Sequence, residues 1–175
     1  KLSKIEQRVH PCFVELKSDI AKVSNEINAV FVNDSVIGKN IFEGPGAGAG
    51  PTGASVMSDL MDIIRGTYNY PLGVSMKKKK KLKIQKIDDL SFPYYLRITA
   101  KDKAGVMAKI SKALSKRKIS IESIIQKPSK RSNFAEIILI THTVKESSLL
   151  SSIKQIKRLP EVSSSVKFIR IEDSL

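Results

Sequence analysis

The chain has 175 residues, of which 41% are hydrophobic and 27% charged, with a formal net charge of +14. That length supports a core in one or two domains without covalent staples, and the single cysteine, Cys12, excludes an internal disulfide. No apolar run approaches the roughly 18 residues of a membrane span and no signal-peptide pattern opens the chain, so the expected compartment is the cytoplasm, with no membrane partner.

Lys1 rather than Met stands first, which reads as a piece of something longer. Cys12 is expected as a small, half-buried residue. Residues 5–43 are strand-like: INAVFVNDSVIGKNIF carries two β-rich runs about an Asn33-Asp34-Ser35 turn, a hairpin signal. GPGAGAGPT follows, from Gly44 to Thr52, with four glycines and two prolines in nine residues. GASVMSDLMDIIRG then sets Val56, Leu60 and Ile63 or Ile64 on one helical face, with Thr52 as N-cap and Gly66 as stop. Residues 67–93 read as a connection. Within it, MKKKKKLKIQK holds seven lysines and no arginine, the composition of a solvated, self-repelling linker rather than an anion site.

From Tyr94 the order is strand, helix, strand, strand, helix, strand. YYLRITAK is followed by a helix with Val106, Ile110, Ala113 and Leu114 on one face. ISIESIIQK and NFAEIILITH form a strand pair across PSKRS. The next helix carries Leu149, Ile153 and Ile156 at core spacing, with Thr143 and Glu146 spaced as a capping box and Pro160 beyond its end. VSSSVKFIRIE closes the set. A βαββαβ order predicts the ferredoxin-like sandwich of a four-stranded antiparallel sheet with two helices on one face. Residues 137–140 are apolar on both faces, which predicts that a partner or the first region covers the open side.

Three stretches bear on chemistry. The glycine loop leaves a strand-like run and opens a helix whose first N–H groups are unpaired, so bare backbone could approach an anionic ligand or simply turn. Asp102, between a strand and a helix and followed by Gly105, suits either an ordinary helix start or an ammonium contact. His10 and His142 are the only histidines and lie in no metal-ligand spacing with Cys12 or a carboxylate cluster, so no metal and no nucleophile set is predicted. His10 reads as a structural strand residue.

QRVHP, INAVFV, GPGAGAGPT and SDLMDIIRG, in that order, resemble the C-terminal half of the catalytic part of homoserine dehydrogenase. The resemblance implies a dimerising hairpin in the substrate region of an α/β dehydrogenase, with Gly44, Gly46 and Gly48 lining NAD(P). The helix from Gly53 to Arg65 would return beside the nucleotide-binding sheet. Gly53-Ala54-Ser55 stands where the family more often has Ala-Ser-Ala. YYLRITAKDKAGVMAKISKAL, ISIESIIQK, THTVKE and IRIE resemble the ACT domain carried by many bacterial members. That implies side-by-side pairing and an amino-acid effector, L-threonine, held by Asp102, Gly105 and Val106 and by the second strand around Ile119 and Ser120. Ala104 replaces the family's usual proline.

The fold class expected is therefore α+β: a partial dehydrogenase region over residues 1–66, a linker over 67–93 and an ACT domain over 94–175. The family's catalytic lysine and aspartate, nucleotide-binding unit and monovalent-metal loop lie upstream in the family, so no catalytic residue is assigned and the chain alone is expected to be inactive. The intact enzyme would be a homo-oligomer interconverting L-homoserine and L-aspartate 4-semialdehyde in threonine and methionine biosynthesis. A free-standing amino-acid-binding regulator is a second reading, which the glycine loop does not suit. A basic RNA-binding module shares the βαββαβ order, but Phe134 is the lone aromatic in its strand motif where stacking needs at least two rings, so no nucleic-acid partner is expected.

Overall fold

Strict alternation of inward and outward residues organises the second half of the chain. In the computed structural model, which describes residues 4–67, 82–129 and 133–172, the alternation starts at Leu90 and Phe92, both buried and both within the stretch expected as linker. The lysine run at 77–81 and part of the PSKRS turn lie outside the described residues.

In chain order the elements are β1 (Lys4–Ile5), β2 (Cys12–Val14), a 3-10 turn at Asp19–Lys22, β3 (Ile27–Asp34), β4 (Gly38–Pro45) and α1 (Ala49–Ile64). They continue with β5 (Lys83–Ile84), a 3-10 turn at Ile87–Asp89, β6 (Ser91–Lys101), α2 (Val106–Ser115), β7 (Ile121–Pro128), β8 (Phe134–Lys145), α3 (Glu146–Ile156) and β9 (Val162–Glu172). The described residues divide into two compact units, one drawn from Lys1–Phe13 and Lys83–Ser174 and the other from Val14–Leu82.

The first unit holds a five-stranded sheet in the order β2-β9-β6-β8-β7. Its last four strands, β9-β6-β8-β7, are the antiparallel ferredoxin-like arrangement expected from the βαββαβ order. Inward residues Tyr94, Leu96 and Ile98 of β6 and Ile137 and Leu139 of β8 pack against Ile110 and Leu114 of α2 and Leu149 and Ile156 of α3. Truncating any one of these buried aliphatic side chains to alanine costs about 2–5 kcal/mol. Ser152 of α3 donates to the Ala113 carbonyl at 3.2 Å, fixing one helix to the other.

Pro93 lacks an N–H, and the β6–β8 register shifts between Phe92 and Tyr94. Thr141 repairs the ladder there: its buried Oγ1 accepts the Tyr94 amide at 3.1 Å, which accounts for a polar residue in the core. On the open face Ile138 and Ile140 are half-buried, and the Phe13 ring meets Tyr95 edge-on at 5.2 Å. That side is therefore partly covered from within the chain.

In the second unit β3 and β4 form the expected antiparallel hairpin, paired from Ile27↔Pro45 to Asp34↔Gly38. The Asp34 carboxylate closes the turn by accepting the amides of Val36 (2.7 Å) and Ile37 (3.2 Å). α1 begins earlier than its apolar period suggested. Its N-cap is Gly48, not Thr52, whose amide instead donates to the Gly48 carbonyl at 3.1 Å inside the first turn. At its far end the amides of Gly66 and Thr67 return to the carbonyls of Ile63 and Asp62, both at 3.0 Å, the paired closure that a left-handed glycine permits. None of the residues of α1 is buried: Val56, Met57, Leu60, Ile63 and Ile64 all stand open.

Candidate functional site

The three glycines singled out in the loop differ in what the structure requires of them. Gly48 has φ 116° and ψ 149°, a region essentially reserved for glycine, and it caps α1. A side chain at Gly46 would run into Asn28, whose Nδ2 lies 2.0 Å from the ideal Cβ position. The Gly46 amide is already spent on the Glu26 carbonyl at 2.7 Å. Gly44 ends the hairpin opposite Asn28 with open space where a Cβ would stand, as does Gly50 in the first turn of α1. The loop thus presents bare backbone at Gly44, Gly48 and Gly50 beside a helix N-terminus, while Gly46 serves the packing of Asn28.

The second candidate lies where β6 runs into α2. Gly105, at φ 85°, is the N-cap of α2, and Val106 behind it is buried. Asp102 does not cap the helix. Its amide donates to the Asn133 carbonyl at 3.0 Å, and its Oδ1 accepts the Gln126 side-chain amide at 3.2 Å. Gln126 was not legible as a partner in the sequence, because it is set beside Asp102 by the β7–β8 register rather than by spacing.

Ile119 and Ser120 lie at the other end of the sheet. β7 starts at Ile121 opposite Thr141, and the Ser120 carbonyl accepts the His142 amide at 3.1 Å. Gln126 lies opposite Ile137, so roughly 17 Å of extended strand separates Ile121 from the residue that touches Asp102. Within one copy, therefore, Asp102, Gly105 and Val106 form one group and Ile119 and Ser120 another. β7 is a sheet edge, and all its residues after Ile121 are exposed.

A third cluster was misread in the sequence. Glu146 is not half of a capping box with Thr143; the N-cap of α3 is Lys145, with no side-chain cap bond. Glu146 is instead 3% exposed and accepts the Tyr94 hydroxyl at 2.9 Å and Arg170 Nε at 2.7 Å, with Arg170 Nη2 on its other oxygen. Burial, and next the Glu146 carboxylate, push the Tyr94 phenol above its ordinary range, and Glu146 holds Arg170 still more firmly charged. The available signal was phase: Tyr94 and Arg170 fall in the inward registers of β6 and β9.

Neither histidine sits with metal-ligating neighbours. His10 lies between β1 and β2 rather than on a strand, with Nδ1 3.0 Å from the Pro11 carbonyl. Cys12 is exposed in β2, not half-buried. Among the described residues no group of three or more His, Cys, Asp or Glu could hold a metal ion, and no helix is long and apolar enough to cross a membrane.

Known proteins share this arrangement. The homoserine dehydrogenase family profile matches residues 1–61, and the ACT domain profile matches residues 94–161. Homoserine dehydrogenase of Helicobacter pylori is 34% identical over 169 residues, 97% of this chain and 40% of that protein. The enzyme of Pseudomonas aeruginosa is 37% identical over 177 residues, 97% of this chain and 41% of that protein. The crystal structure of a homoserine dehydrogenase from Thiobacillus denitrificans superposes with a TM-score of 0.84 at 32% identity, covering 98% of this chain and 40% of that one. The chain spans about 40% of the length of the curated relatives it matches. Over nearly its whole length the chain is thus similar to a portion of homoserine dehydrogenase, a segment matching that family's profile being followed by an ACT domain.

Proposed function

We propose that this chain is the dimerising and regulatory part of an NAD(P)-dependent homoserine dehydrogenase, which interconverts L-homoserine and L-aspartate 4-semialdehyde. The observation that carries this is the match to the Thiobacillus denitrificans enzyme over 98% of the chain, glycine loop and ACT domain together. A free-standing amino-acid sensor has no use for the former.

In this reading the first unit senses and the second contributes to catalysis. The hairpin and α1 leave Val30, Phe42, Val56 and Ile64 exposed, which suits elements whose apolar faces are covered by the rest of the enzyme and by a second copy. The backbone of Gly44 and Gly48, with the unpaired first amides of α1, suits close approach of a dinucleotide. Gly46 keeps Asn28 packed behind it. NAD(P), when bound, supplies the hydride acceptor or donor; this chain's residues shape one wall of its site.

For the ACT domain the separation of its two residue groups is informative. Two copies joined antiparallel through their β7 edges exchange ends, so Asp102, Gly105 and Val106 of one copy meet Ile119 and Ser120 of the partner. Asp102 would take the effector's ammonium and backbone amides its carboxylate. L-Threonine is the effector proposed. It changes activity only through its differential affinity for two arrangements, typically 1–3 kcal/mol. Calorimetric titration with L-threonine, against L-serine, L-methionine and L-isoleucine, tests this. Selective binding lost in Asp102→Ala supports the sensor, and binding of none of the four overturns it.

A further inference from the structure

Residues 4–14 belong by sequence to one region and by packing to another. They fall inside the stretch that matches homoserine dehydrogenase, residues 1–61, yet up to Phe13 they group with the ACT unit. Three separate anchors hold them there. β1 pairs in parallel with β5, Lys4↔Lys83 and Ile5↔Ile84, and the Gln85 amide donates to the Ile5 carbonyl at 2.9 Å. β2 lies along β9 as the fifth strand, and Phe13 sets its ring against Tyr95.

The middle anchor is Arg8. Its Nη2 binds the Glu172 carboxylate at the end of β9, and its Nε lies 2.7 Å from Glu6 Oε1. Its guanidinium carbon stands 4.3 Å from the centre of the Phe92 ring. A planar cation paired at one edge and stacked on a ring cannot be replaced by lysine without losing part of both contacts. Phe92 and Glu172 belong to β6 and β9, so one side chain spans the two strands that β2 extends.

We propose that residues 4–14 are a non-covalent joint, latched by Arg8, that ties the ACT domain to the catalytic region independently of the lysine-rich connection at 68–81. From Val14 the chain runs on through the 3-10 turn at Asp19–Lys22 to the β3–β4 hairpin, which leads into the glycine loop. What the joint transmits rests on the sensor reading above; the joint itself is tested without any effector.

The test is to place a protease site within residues 70–78 of the full chain, cleave it, and follow the two pieces by size-exclusion chromatography and sedimentation. The pieces are expected to stay together after cleavage. Arg8→Ala and Phe13→Ala each weaken that association by about tenfold or more, and Arg8→Lys gives an intermediate loss. Hydrogen exchange on the uncleaved variants separates a lost joint from a lost fold. In Arg8→Ala the amides of residues 4–14 and of β9 exchange faster while those of β7 are unchanged. Pieces that part on cleavage with a native ACT exchange pattern overturn the proposal. So does an association that neither substitution weakens.

Discussion

Tyr94 gives its phenolic hydrogen to Glu146 at 2.9 Å, joining the central strand of the ACT sheet to the first residue of α3. Arg170 closes the same carboxylate from β9, so three elements meet at one buried charge. The partners are unequal. Tyr94→Phe removes one donor to the carboxylate and leaves Glu146 paired with Arg170, at a cost of about 1.5–3 kcal/mol. Glu146→Ala strands a largely buried guanidinium and costs about 3–5 kcal/mol. Urea denaturation of the two variants checks the order; equal losses would mean that the ion pair contributes nothing beyond the tyrosine.

The same hydroxyl sets an alkaline limit. Burial and Glu146 raise the Tyr94 phenol above its ordinary value of 10.0, so the folded chain keeps the proton after an unfolded one releases it. The stabilisation is therefore complete below about pH 10 and is lost as the pH rises through the folded value. Denaturation midpoints between about pH 9 and pH 11.5 should fall more steeply in the native sequence than in Tyr94→Phe. Parallel slopes would place the titrating group elsewhere.

Periodicity made the ACT half readable. The inward phase of β6, the faces of α2 and α3 and the βαββαβ order are local patterns, and each appears in the structure as the sequence implied. What was misread depends on contacts remote in sequence. Glu146 has capping-box spacing, but a buried arginine and tyrosine compete for its carboxylate and win. Thr52 looks like an N-cap, yet Gly48 can adopt a conformation that starts the helix one turn earlier. Arg8, 164 residues from Glu172, leaves no trace in spacing at all. For the candidate effector residues, their separation to the two ends of β7 was not legible, because it follows from register.

The loop glycines should respond differently to alanine. Gly48→Ala forces a side chain into φ 116° and costs about 1–3 kcal/mol, seen as faster exchange of the Thr52 amide, which donates to the Gly48 carbonyl. Gly46→Ala displaces Asn28 and loosens the hairpin, and Asn28→Ala in the same chain relieves it. Gly44→Ala meets nothing, so the hairpin keeps its exchange pattern. In the full-length enzyme it raises KM for NAD(P) if dinucleotide approaches that backbone. An unchanged KM in Gly44→Ala would remove Gly44 from the cofactor wall.

If each effector site is shared between two copies, damage to its two halves should complement. Asp102→Ala removes the ammonium contact, and Ser120→Trp fills the opposite end of β7, where Ser120 is exposed. Either variant alone spoils both sites of a dimer. Mixing them makes roughly half the dimers hybrid, each with one site carrying both changes and one carrying neither, so roughly a quarter of the binding sites return. Calorimetric titration of the mixture with L-threonine counts them. A mixture as silent as its parents would confine the site to a single copy, and undiminished binding in both parents would mean that these residues do not touch the effector. Recovery near a quarter would carry both the antiparallel pairing of β7 edges and the division of the site between copies.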